Sequence, residues 1–497
     1  MTVYEVRQGA GGAGSSLPTI GAAARLVGPG DEVVVFGGVY RERLVADVMG
    51  VTWRAAAGET AVIDGGWKVG DGAGDGQGGP PLVSVVAEDV TLDGLVVRNS
   101  PGDNVVVGGG GHNALLRGLR VDHSYSGGII VNGGTEYVRR VRIEGCTITR
   151  AGMSWEAGWR KNVSGSVNFV RAEDSSIADS VIAYGYGEGL NFGKGSRRLK
   201  GERVTSFDNA HLCFYFNRCT DSEFVECVAF LTGFQPRLVG KDTWPAGFVF
   251  GDEVSERANK FPHSRGNRIR RCVVVNAGTL ISVRNNERAD GYDTCLDAGT
   301  VIENCTLVAG PQTRRGLDIK ENLAGRPHEA ACIRGNAIHL NYAMPGADIA
   351  TSSSRAIYWH RNAWSQMPPA LCRSDGDIVG FALRNPGAAL ANEFPEARHD
   401  LALGNYTPPV RSPLIGAGPN GTTIGALEEW EEPEPPDEPE PDEPPVEPEW
   451  RLGLEEAERV LVANCELYAA TLPEWVPGVV GLRAMAKMAR WLDGSGA

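Results

Sequence analysis

The chain is 497 residues long, 42% hydrophobic and 22% charged, which gives enough apolar content for a packed core and excludes wholesale disorder. Its 66 glycines follow no G-X-Y period, so collagen is excluded and short strands joined by frequent turns are expected. The formal charge of −14 belongs almost wholly to residues 428–449, which hold twelve acids and no base. The remaining body is therefore near neutral, with no basic field for nucleic acid.

The chain opens MTVYEVRQGAGG, without the basic and apolar regions of a secretory leader. No apolar run reaches 18 residues, so no membrane span is expected. Residues 19–26 read as a short helix, Pro29–Gly30–Asp31 as a turn and 32–36 as a strand. From residue 90 an imperfect repeat begins. Its copies are VTLDGLVVRNS (90–100), ALLRGLRVDHS (114–124), VRIEGCTITRA (141–151), SSIADSVIAYG (175–185), RLKGERVTSFD (198–208), SEFVECVAFLT (222–232), NRIRRCVVVNA (267–277) and TVIENCTLVAG (300–310). Aligning Gly94 with Gly118, Gly145, Asp179, Gly201, Glu226, Arg271 and Asn304 gives a basal unit of roughly 22–27 residues, lengthened by insertions in some copies.

A second strand follows in each unit: GIIVNG (128–133), SVNFVR (166–171), GLNFGK (189–194), CFYFNR (213–218), GFVFGD (247–252), LISVRN (280–285) and GLDIKE (316–321). Positions two and four are apolar in all seven, and position six is charged or polar in six. Period two sends positions two and four inward and leaves three, five and six outside or at the edge. Helical solenoids need a 3.6-residue period, and leucine-rich repeats need a Leu/Asn pattern; neither is present. The expected fold is all-β, a parallel β-helix of stacked coils.

Residues 17–44, LPTIGAAARLVGPGDEVVVFGGVYRERL, resemble the N-terminus of right-handed parallel β-helix proteins of the pectate-lyase-like superfamily. Those begin with a capping helix, a PGD turn and a strand ending in G-x-Y. Residues 411–428, RSPLIGAG…IGALE, resemble the segment that closes the last coils in many of them. The resemblance spans residues 1–427 and implies the fold, with its right hand and its N-terminal capping helix. The NTD, DD, GHG and RIK motifs of the polygalacturonases and the WIDH motif of pectate lyases are absent, so it implies no one enzyme family.

Residues 428–450 are Pro/Glu-rich, and proline together with like-charge repulsion predicts an extended, disordered linker. Residues 451–497 predict a small helical tail: Leu454, Ala457, Leu461, Asn464 and Tyr468 fall at helical spacing, Pro473 and Pro477 interrupt, and a second amphipathic run follows. Two short helices make little core alone, so this tail is read as a docking or homo-oligomerisation segment.

Phe169, Phe192, Phe216 and Phe250 share position four and predict an inward aromatic ladder. Cys146, Cys227, Cys272 and Cys305 predict an inward stack of small residues without disulfides. The outward positions are rich in Asn, Arg, Lys, Asp and Tyr, which suits a hydroxyl-rich ligand. Asn168, Asn191, Tyr215, Asn217, Asp318 and Lys320 are the candidate glycan-binding residues. Insertions at 152–165, 232–246, 253–264 and 286–297 would wall a groove, with Trp155, Trp159 and Trp244 available to stack on sugar rings.

A polysaccharide lyase needs a base and a cation for the carboxylate-derived enolate, which makes Lys194, Arg218, Arg284 and Asp252 the catalytic candidates. Asp252 and Glu253 are candidate calcium ligands, the one cofactor considered. Asp208 and His211 form a second acid/base candidate pair, and Asp252 with Asp318 a candidate glycosidase pair. The expected function is recognition, and lyase- or hydrolase-like cleavage, of an acidic or surface polysaccharide, outside the cell or on a virion. The alternative is a non-catalytic rod, a tailspike or fibre component, docked through residues 451–497.

Overall fold

Alternation along each repeat demands that its apolar rows meet on one side, and three such rows close into a tube. The computed structural model has three parallel sheets of 14, 13 and 11 described strands wound into a right-handed parallel β-helix. It describes residues 1–427 except 10–15, 70, 72–77, 156–164, 233–244, 254–260, 285–293, 320–327, 341–347, 352–356, 385, 387–402, 410 and 419–420. The linker and tail expected at 428–450 and 451–497 therefore lie outside the described residues, as do Trp159, Trp244 and Lys320.

One coil shows the course of all. Ser176–Ala178 lies in the first sheet, Val181–Ala183 in the second and Glu188–Phe192 in the third, and Lys200–Glu202 re-enters the first one coil on. A narrow fourth face pairs Val138–Arg139 with Ala172–Glu173 and continues as single bridges through Arg197, Thr220 and Arg265. No described helix is long and apolar enough to cross a membrane.

The N-terminal end is closed as expected. Helix Ile20–Ala24 buries Ile20 and Ala23, and Thr19 accepts the Ala22 N–H. Glu42 accepts the Ile20 and Gly21 N–H groups at 2.8 Å each, so donors that a helix start leaves orphaned are satisfied. Asp31 accepts from the Thr2 and Gly28 N–H groups and pins the turn before strand Glu32–Val35.

Between the first and second sheets the chain turns through one left-handed residue per coil. These are Gly94, Gly118, Gly145, Asp179, Arg203, Glu226, Arg271, Asn304, Gly335 and Arg361. The repeat alignment at Gly201 is thus two residues early, and Arg203 is the turn residue. A left-handed non-glycine costs about 1–2 kcal/mol. Stacked ion pairs recover part of it: Arg203 Nε lies 2.6 Å from Asp179 Oδ1, and Arg271 Nη2 lies 2.7 Å from Glu226 Oε1. Each is an exposed pair worth at most about 1 kcal/mol, so the core must supply the rest.

Gly201 belongs instead to the inward row of the first sheet, between Ile177 and Phe224. A Cβ there would lie 2.7 Å from Phe224 Cδ1. The missing side chain makes room for the Phe224 ring, which packs at centroid distances of 4.5 Å on Phe192, 4.6 Å on Phe216 and 5.1 Å on Phe214. The expected ladder is present beside it: Phe169–Phe192 5.6 Å, Phe192–Phe216 6.1 Å and Phe216–Phe250 5.1 Å, all buried. Cys146, Cys227, Cys272 and Cys305 are buried and free, as expected.

The segment resembling a terminal closure does something else. Leu414 and Ile424 are buried with Tyr406 against Phe207, Phe230, Val275 and Val308, on the outer face of the second sheet. The Gly425 N–H donates to Gly335 O and the Ala426 N–H to Thr306 Oγ1. An outward row that is apolar needs a cover, and this segment supplies it.

Phe224 is the residue on which the ring cluster converges. Phe224→Ala should lower stability by about 3–5 kcal/mol in denaturant unfolding. A loss below about 1 kcal/mol would show that the cluster collapses around the gap.

Candidate active site on the third sheet

The third sheet places one outward residue of each coil beside its equivalent. That row runs Val106, Ile130, Asn168, Asn191, Tyr215, Val249, Ser282, Asp318. Over its Ile130–Asn191 stretch lies a cleft of ≈ 620 Å³. Asn132, Asn168, Asn191, Gly193 and Asn217 contribute to its floor, and Arg171, Glu188, Lys194, Glu253 and Phe261 also line it.

Asn168 and Asn191 are the telling floor residues. Their amide oxygens are buried and have no hydrogen-bond partner among the described residues, and Asn191 is only 7% exposed. Gly193 keeps the floor open beside them: a Cβ there would lie 2.9 Å from Asn168 Oδ1 and 2.7 Å from Phe169 O. Asn217 is more committed, its Oδ1 3.5 Å from the Glu253 N–H. Lys194 Nζ sits 2.5 Å from Glu253 Oε2, so a cation and a carboxylate face the cleft as a pair. The Arg171 guanidinium lies over the Phe261 ring at 4.9 Å and donates to Gly134 O and Thr135 O.

Arg218 and Asp252 are both buried. The Asp252 carboxylate accepts from the Arg218 N–H, the Ser264 N–H and the Ser264 hydroxyl, and it lies 3.1 Å from His263 Nδ1. Arg218 Nε donates to Glu253 O and Nη1 to Phe261 O. Together they hold two cleft-lining residues in place and present no head group to the cleft. Asp252 has no oxygen left over for calcium and Glu253 is engaged by Lys194, so the expected calcium pair does not fit. Among the described residues no cluster of three or more His, Cys, Asp or Glu is placed to hold a metal.

Other candidates separate. Tyr215 is buried in an outer apolar cluster with Leu212, Ala246 and Val249, and its hydroxyl donates to Gly251 O at 2.9 Å. Asp318 is bound by Arg315 at 2.8 Å and lies two coils beyond Val249 in the outward row, so it does not meet Asp252 as a glycosidase pair. Trp155 ends the short helical turn Met153–Trp155.

Asp208 and His211 do not pair. Asp208 is fully buried and accepts from the Thr232 N–H and hydroxyl. His211 belongs to another group: Arg284 Nη1 lies 3.1 Å from its Nε2, and Glu188 Oε1 lies 3.6 Å from its Nδ1. Burial pushes the Glu188 carboxyl up, but the His211 N–H and the charge of Arg284 leave it below its ordinary value. Sequence reasoning does not single out Glu188. Its one signal is position: it is the only acid immediately preceding position one in the seven second-strand copies.

Burial pushes the Asp208 carboxyl up to about 6. An unfolded aspartate titrates near 3.9. Between about pH 4 and pH 6 the folded chain therefore holds a proton that the unfolded chain has lost, and stability falls as pH rises, by up to about 3 kcal/mol. Asp208→Asn should remove that fall, so its stability relative to the parent chain improves from pH 4 to pH 7. A difference that is constant across the two pH values in denaturant unfolding would refute the shift.

No protein-family model matches the sequence, and no curated protein matches it. Among solved structures the chain is similar to a rhamnogalacturonan lyase, with a TM-score of 0.50 and 12% identity over 82% of this chain and 96% of that one. It is similar to pectate lyase Pel9A at 0.49 and 12%, over 86% and 97%. It is similar to a polygalacturonase from Erwinia carotovora ssp. carotovora at 0.41 and 11%, over 76% and 92%. At these identities the likeness is one of fold alone, a right-handed parallel β-helix.

Proposed function

We propose that the protein binds an acidic polysaccharide in the third-sheet cleft and cleaves it by β-elimination. The observation that carries the reading is the pair of amides Asn168 and Asn191, side by side in the lining of the cleft. An amide carries both donors and an acceptor, the groups that match the hydroxyls of a sugar. Lys194, Arg171 and Arg284 are cations in or beside the cleft, which suits a carboxylated sugar. Two-carboxylate hydrolysis is less well served. The cleft-lining carboxylates are Glu188, held below its ordinary value, and Glu253, engaged by Lys194, so neither suits donation of a proton to a leaving oxygen. Trp155, Trp159, Trp244 and Lys320 remain candidates for outer contacts with the chain. A substrate of this kind is met outside the cell or at its surface, which is where we place the protein.

A glycan array on the full chain, with product analysis of each hit, tests this. Acidic glycans should bind and yield unsaturated ends. Asn168→Ala/Asn191→Ala should weaken binding by about tenfold or more, the worth of one or two hydrogen bonds. Unchanged affinity in that variant would sink the cleft as the binding site. Reducing ends alone would turn the reading to a hydrolase, binding without products to an adhesin, and no binding to a structural rod.

A further inference from the structure

We infer that His211 is the proton-abstracting base of this site, and that Arg284 keeps it covered until an anionic group of the glycan draws the guanidinium away. The inference rests on the reading of the cleft as a polysaccharide site.

The geometry supplies the argument. His211 stands just before strand Leu212–Phe216, and Glu188 begins the strand one coil earlier, with Glu188 opposite Leu212 in register. Arg284 leaves the far end of strand Thr279–Val283, two coils on, and its side chain runs back to His211. An arginine only donates, so the imidazole nitrogen it meets must accept. That fixes the tautomer: the Nε2 lone pair is taken by Arg284, and the Nδ1 proton faces Glu188. The lone pair a general base needs is present and occupied. About a third of the His211 side chain is exposed, at 34%, and Glu188, which it faces, lines the cleft.

A sugar carboxylate competes for the same guanidinium. A carboxylate can take the guanidinium through two parallel charged hydrogen bonds where the imidazole offers one lone pair, so the exchange runs toward the glycan. It performs two tasks at once. The carboxylate is neutralised, and Nε2 is released beside the sugar that carries it. The C–H bond next to the carboxylate then breaks, its proton going to Nε2 and its electron pair forming the new C=C bond. The C–O bond at the neighbouring carbon breaks, the leaving oxygen takes its pair and a proton from water, and the hydroxide so formed takes the proton from Nε2, which restores the base. Glu188 faces the imidazolium formed, as a positioning residue. A neutral glycan offers nothing to move Arg284 and leaves the base covered.

Acylation by diethyl pyrocarbonate, followed at the His211 peptide by mass spectrometry, reads the covering without any need for activity. His211 of the full parent chain should react about tenfold more slowly than in Arg284→Gln, the worth of the lost hydrogen bond. Arg284→Met serves if the glutamine variant does not fold. Equal rates would overturn the covering. On polygalacturonate, alginate and hyaluronate, His211→Gln should lower kcat by about 10²–10⁴ with KM little changed, the usual contribution of a general base. An unchanged kcat, or no unsaturated product from the parent chain on any of the three, would overturn the role of His211 as base. Failure of the parent chain to bind any of them would count against the cleft reading itself, while the acylation rates would still decide the covering.

Discussion

Parallel stacking is the constraint on which everything else in this molecule depends. Coils lie about 4.8 Å apart, so each side chain meets its own equivalent above and below. Whatever a place in the repeat holds must tolerate a copy or find a complement. Phenylalanine rings and cysteines tolerate copies, and they form ladders. Gly201 under Phe224 is the complement, a gap opposite an oversized ring. Like charges repel at this distance, and the turns between the first and second sheets alternate sign, as in Arg203 on Asp179 and Arg271 on Glu226.

The same constraint decides which face is left for a ligand. On the first sheet the outward charges answer one another, with Glu303 held by both Arg270 and Arg334, and Lys200 by Glu202. On the second sheet the outward row turns apolar past Val181 and is covered by the chain itself through Tyr406, Leu414 and Ile424. The third sheet is neither self-paired along its whole length nor wholly covered. Its outer face carries an apolar patch around Tyr215, and next to that patch the cleft with its open amides.

The strands were legible because period two and a fixed register leave a mark in every copy. The inward and outward rows of the third sheet and the two ladders follow from spacing alone, while the N-terminal cap follows from the resemblance in residues 17–44. The slip at Gly201 has a physical cause: a glycine in the inward row looks like a turn glycine, while the turn uses Arg203 in the same left-handed conformation. The candidate site was less legible. Asn168 and Asn191 could be placed on the outer face, but their lack of partners is a property of the packed coil. Arg218 and Asp252 share that outer place by count, yet they fold into the body, because neighbouring chain from Glu253 to Ser264 offers them carbonyls and N–H groups. Glu188, His211 and Arg284 meet across almost a hundred residues of chain. Period two says nothing about a side chain that crosses coils.

Asparagine makes the difference between structure and site visible within one molecule. Asn336 and Asn362 also stand in equivalent places of adjacent coils, and both are buried. There each amide is used: Asn336 Oδ1 takes the Cys305 N–H and Asn362 Oδ1 the Asn336 N–H, while their Nδ2 groups donate to Ile302 O and Ile333 O. That ladder spans a turn and leaves nothing over. Asn168 and Asn191 stand at the same separation on the third sheet, where the strand N–H and C=O groups are already spent on neighbouring strands. A ladder of amides inside a turn finds backbone to bind. On the face of a sheet that backbone is already paired, and these two amides line the cleft instead.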